Sequence, residues 1–117
     1  MTLKEYEQAA SRTCPSLNSL DIDMIHMILG IQTESAELAD ILKKNIAYGK
    51  PIDWINYEEE IGDLMWYIIN LCRMTGFNLE DILDKNIAKL RQRYPDKFTT
   101  NLALNRNLDA EREILEG

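Results

Sequence analysis

Residues 64–72 read LMWYIINLC, nine positions with a single polar side chain, Asn70. The run continues a helical pattern on both sides and does not alternate with the two-residue period of a half-buried strand. It therefore reads as a helix that is apolar nearly all round, and such a helix has to be covered on several sides. A chain of 117 residues builds one core and has few helices to spare for that task. Residues 24–31, MIHMILGI, are similarly broad and add to the demand. The sequence thus predicts that a second copy supplies the missing cover, as a homodimer or homotetramer.

Helix punctuation runs through the whole chain, and no segment has strand periodicity, internal repetition or low complexity. Thr2-x-x-Glu5 has the form of a capping box and starts a short first helix that ends before Cys14-Pro15. A long second helix is expected from Asn18 or Ser19 to about Ala47, closed by YGKP at residues 48–51. The third runs from about Asp53 to Thr75 and stops at Gly76. Asn78 caps a fourth, with Asp81 at N3 and Phe77 and Ile82 placed for a hydrophobic staple; it ends before Pro95. The fold class is all-α, a bundle of four to five helices completed by oligomerisation. Residues 1–100 form its domain, and 101–117 a charged tail with one short helix docking on a neighbour.

The formal charge of −7 excludes nucleic acid and anionic membranes as partners held by bulk electrostatics. No run of 18 apolar residues is present to span a bilayer. Cys14 and Cys72 lack ligand-like spacing, and no N-terminal signal pattern precedes them, so a reducing, cytoplasmic setting is expected.

Against this acidic background the positions of four carboxylates stand out. At 100° per residue, Glu34 falls in line with Met27, Leu38 and Ile41, with Glu37 at the edge of that face. On the third helix Glu60 falls in line with Leu64, Tyr67 and Leu71, with Asp63 at the edge, whereas Glu59 points about 100° away. A short connection makes the two helices antiparallel neighbours, which can bring the four acids together. Clustered like charges beside a core are costly unless a cation answers them. Hard oxygen donors in that number suit Mg²⁺, with Mn²⁺ as a substitute. The plain alternative is a set of solvated acids on amphipathic helices, since ExxE alone is common.

Other side chains carry less. Asn86, Lys89 and Arg93 form one polar stripe on the fourth helix, suited to anions or simply to the negative end of the helix dipole. Trp54, in a connection near the acids, is the best placed aromatic for stacking on a base, while Trp66 and Tyr67 read as core or interface. Asp23-x-x-His26 has the spacing of a di-iron ligand pair, but such sites need two copies and the chain has one His.

Three segments resemble the all-α nucleoside triphosphate pyrophosphohydrolases of the MazG-like type: GIQTESAELADILKK at 30–44, EEEIGDLMWYIINL at 58–71 and NIAKLRQRYPDKF at 86–98. The ending NRNLDAEREILE is similar to the tails of phage and bacterial members. The resemblance implies Mg²⁺-dependent hydrolysis of a nucleoside or deoxynucleoside triphosphate between the α and β phosphates, cleansing nucleotide pools. It implies Glu34, Glu37, Glu60 and Asp63 as metal ligands, with Glu37 and Glu60 as the catalytic acids among them. It further implies that Asn86 and Lys89 hold the triphosphate, and Arg93, which falls in the same matched segment, is expected as a phosphate contact beside Lys89. The competing reading is a catalytically silent homo-oligomeric module that keeps a metal or nucleotide site.

Overall fold

A computed structural model of the chain describes residues 1–117. It contains six helices and no strand: α1 (Leu3–Ser11), α2 (Leu20–Tyr48), α3 (Trp54–Thr75), α4 (Leu79–Arg93), α5 (Thr100–Leu104) and α6 (Leu108–Glu116). The all-α expectation is met. The count exceeds four or five because residues after Phe98 form two helices, each opened by a side-chain cap, Thr99 accepting from Leu102 N and Asn107 from Ala110 N.

The predicted punctuation marks the ends of the main helices. Thr2, Ser19, Asp53 and Asn78 are the N-caps of α1 to α4, and each side chain accepts a backbone N–H of the first turn. α2 and α3 end where Gly49 (φ 66°) and Gly76 (φ 75°) take the left-handed conformation that a side chain would resist.

The chain divides into two units, Met1–Phe77 and Asn78–Gly117. In the first, α2 and α3 form a helical hairpin and α1 lies on α3. The pairing is antiparallel: Glu37 meets Glu60 near the connection, while Gly30 and His26 meet Tyr67 farther along. Met27, Ile69 and Asn70 are its most deeply buried side chains. Burying Met27 or Ile69 contributes roughly 1.5–3 kcal/mol each. Asn70 is satisfied internally, donating to Trp66 O (3.0 Å) and accepting from Arg73 (3.2 Å), so it needs no ligand to explain its burial. Trp66 donates its indole N–H to Thr13 Oγ1 (3.0 Å), which ties α3 to the end of α1.

The second unit is built on α4 and α6. Its anchor is Glu111, buried at 2 % exposure and gripped by two guanidiniums. Arg93 donates to it from Nη2 (2.7 Å) and Nε (3.4 Å), and Arg106 from Nη2 (2.8 Å) and Nε (3.2 Å). Hydrogen bonds first from Arg106 and then from Arg93 hold the Glu111 carboxyl down at about 2.

Much apolar surface stays exposed in the single chain. On α2 alone Ile25, Ile28 and Leu29 are 44–55 % exposed, on the stretch whose breadth predicts cover from another subunit.

Candidate metal centre

The hairpin register carries the site. With α2 and α3 antiparallel, the i, i+3 acids of one helix face those of the other across a few residues of pairing. Carboxylate oxygens of Glu34, Glu37 and Glu60 lie within 4.8 Å of one another. A second group, Glu59, Glu60 and Asp63, satisfies the same limit, so Glu60 belongs to both. No His or Cys joins either group. Helical phase accounts for the exposures: Glu60 is 5 % exposed and Glu34 half-buried, whereas Glu37, Asp63, Glu58 and Glu59 are exposed.

One carboxylate oxygen on each of two of these acids lacks a partner. Glu34 Oε2 and Glu60 Oε2 are shielded from solvent and accept no hydrogen bond. A shielded carboxylate oxygen without a donor is costly, which favours the protonated form. The Glu60 carboxyl is pushed up to about 8, first by the hydrogen bond to Glu34, then by that to Glu37, by burial and by their charges. Glu34 gains from its hydrogen bond to Glu60, yet burial and the neighbouring Glu37 and Asp63 leave it raised.

These observations test the site against a divalent cation. Octahedral Mg²⁺ holds oxygens at 2.0–2.1 Å, which places its ligands about 2.9–4.2 Å from each other. Two acid groups within 4.8 Å, all oxygen donors, with two buried oxygens unanswered, fit such an ion.

Around the acids, Trp66 and Tyr67 join Glu34 and Asp63 in lining a shallow depression. The Tyr67 ring lies directly on the Gly30 backbone, where a Cβ would overlap its Cδ1, Cε1 and Cζ atoms. It also meets His26 (6.3 Å) and Trp66 (5.0 Å) edge to face. Tyr6 of α1 is near enough to Asp63 that burial and the Asp63 charge push its phenol up. A separate cavity of about 270 Å³ opens beside Glu37 and Glu60 and is also lined by Asp40, Lys44, Lys50 and Asp53.

The remaining expected residues fall elsewhere. Trp54 is the first residue of α3, 63 % exposed and edge-on to Tyr57 at 5.3 Å. Asn86, Lys89 and Arg93 lie on α4 in the second unit, where Asn86 is exposed and Lys89 half-buried. The Arg93 guanidinium is engaged by Glu111. His26 takes no part in the acid groups. The Cys72 thiol is pushed up by burial and by the charge of Glu7.

Sequence reasoning missed Glu59 and Lys50. Glu59 points off the core stripe, but its i, i+4 relation to Asp63 returns its carboxylate to the group. Lys50 sits in a connection, where helical phase gives no direction.

A family model described as the MazG nucleotide pyrophosphohydrolase domain matches residues 24–98, which include both acid pairs. No curated protein and no solved structure matches the chain.

Proposed function

The chain belongs to the MazG nucleotide pyrophosphohydrolase domain family, and on that premise we propose that it hydrolyses a nucleoside or deoxynucleoside triphosphate between the α and β phosphates. The products are the monophosphate and pyrophosphate, and the role is cleansing of the nucleotide pool in the cytoplasm. The observation that carries this reading is the pair of buried, unpartnered carboxylate oxygens of Glu34 and Glu60, within a cluster of acids inside the matched segment.

Glu34, Glu37, Glu60 and Asp63 would hold Mg²⁺, for which Mn²⁺ would substitute. When bound, the ion neutralises phosphate oxygens and acidifies a coordinated water. Glu37 is the exposed acid of its group and borders the cavity, so it can accept the proton of the attacking water. Glu60, shared by both groups, is the second catalytic acid of this reading. Asn86 and Lys89 supply polar contacts to the triphosphate, with Arg93 beside them; Trp54 offers an exposed face to the base. We assign the activity to residues 1–100. The exposed apolar side chains of α2 support a homodimer or homotetramer.

The deciding experiment incubates purified protein and Mg²⁺ with a panel of NTPs and dNTPs and separates the products. Monophosphate with pyrophosphate, lost on chelation, is the expected result. Diphosphate with phosphate, or turnover indifferent to chelator, would overturn the assignment.

A further inference from the structure

The cavity beside Glu37 and Glu60 has an uneven charge distribution that the acid cluster alone does not explain. Two of its four acids are already answered. Asp40 pairs with Lys44 (2.7 Å) and Lys43 (3.5 Å). Asp53 accepts the N–H groups of Ile55 and Asn56, both at 3.1 Å, as the cap of α3. Glu37 and Glu60 remain, and they belong to the metal-ligand set proposed above. Among the lining cations Lys44 is spent on Asp40, whereas Lys50 forms no ion pair.

Lys50 is also held at its backbone. It follows Gly49, the left-handed cap of α2; its N–H donates to Lys44 O (3.2 Å), and its own carbonyl accepts from Asn45 Nδ2 (2.9 Å). The ammonium therefore hangs from a fixed point at the cavity wall. From Glu37 to Lys44 the helix advances about 10 Å, so the Lys50 backbone, bonded to Lys44 O, lies about two turns from Glu37, at the connection end. No aromatic side chain lines this cavity, so it offers a base no stacking surface.

We propose that Lys50 is a phosphate-binding residue that receives the departing end of the substrate, the β and γ phosphates that leave as pyrophosphate. The inference rests on the pyrophosphohydrolase reading and extends it to a residue outside the acid set and outside α4. Lys50 acts as a point charge on a flexible stem, which suits an anion that must be released after each turnover.

The test is calorimetric titration of inorganic pyrophosphate, with Mn²⁺ present, into wild type, Lys50→Ala, Lys50→Arg and Lys43→Ala. Lys43 is an exposed lysine near the end of α2 that does not line this cavity, and it controls for bulk charge. Loss of one charge-assisted contact weakens pyrophosphate by about tenfold in Lys50→Ala. Lys50→Arg recovers most of that loss, Lys43→Ala stays near wild type, and Mn²⁺ affinity by electron paramagnetic resonance is unchanged in all four. Equal affinity in wild type and Lys50→Ala, equal losses in Lys50→Ala and Lys43→Ala, or no pyrophosphate binding by wild type would each overturn the proposal. The activity reading fails separately, if wild type releases no pyrophosphate from any triphosphate.

Discussion

Gly30→Ala isolates the contact on which the geometry beside the acids depends. In an ordinary helix interior this change gains about 1 kcal/mol from helix propensity. Here the new methyl would overlap three atoms of the Tyr67 ring, far inside the ~3.5–4.0 Å separation of unbonded carbons. The ring would have to leave, giving up its edge contacts with His26 and Trp66. Overpacking of this kind costs about 1–3 kcal/mol, and aromatic pairs about 0.5–1.5 kcal/mol each. The loss exceeds the propensity gain, so Gly30→Ala is expected to destabilise the protein by at least about 1 kcal/mol. For a chain of this size that lowers the thermal midpoint by at least roughly 3 °C. In a Tyr67→Ala background the obstacle is gone and the same change should stabilise by about 1 kcal/mol. A double-mutant cycle by urea denaturation reads the reversal of sign. If Gly30→Ala stabilises wild type, or destabilises both backgrounds alike, the Tyr67 contact is not what Gly30 serves.

Glu60→Gln and Asp63→Asn should each keep the helical circular dichroism spectrum and lower turnover by at least about a hundredfold, since losing even an outer partner of a metal ligand costs 10–100-fold; near-normal turnover would remove either residue from the ligand set. In chelator, Glu34 and Glu60 hold protons more tightly folded than unfolded, so between pH 4.5 and about 8 the native state carries the excess protons. Stability of the metal-free protein therefore falls as pH rises through that window. Thermal midpoints in EDTA should decline from pH 5 to 8 and flatten in Glu60→Gln, and a rising midpoint would contradict the raised carboxyls. Lys89→Ala should raise KM about tenfold or more while leaving Mn²⁺ affinity unchanged; equal losses of both would make Lys89 structural. Glu111→Ala strands two guanidiniums and should release α6. Limited trypsinolysis followed by mass spectrometry would then show faster cleavage at Arg106 and Arg112, with residues 1–77 intact.

The helix boundaries were legible in the chain because caps are local. Ser19, Asp53 and Asn78 accept bonds from amides two or three residues away, and Gly49 and Gly76 answer a backbone angle at their own positions. Helical phase likewise separated Glu34 and Glu60, on the core stripes, from Glu37 and Asp63 at the edges, and the structure buries Glu60, half-buries Glu34 and exposes the second pair. These features depend on one helix at a time, so periodicity and turn chemistry suffice to read them.

Features that join distant residues had no such signal. Tyr67 rests on Gly30 because the hairpin register brings those positions level, and neither residue type reveals the other. Arg93 reads as a free cation on a polar stripe, yet the fold engages it with Glu111, eighteen positions on. Glu59 enters the acid group through the reach of its side chain, which helical phase does not describe. The sequence by itself determined six capped helical segments' local chemistry only in part, but it determined the main helices and the faces that carry the acids. Tertiary structure alone decided which carboxylates share a space, which cation is left unpaired at Lys50 and which is spent at Arg93, because charge pairing depends on distances that chain order does not set.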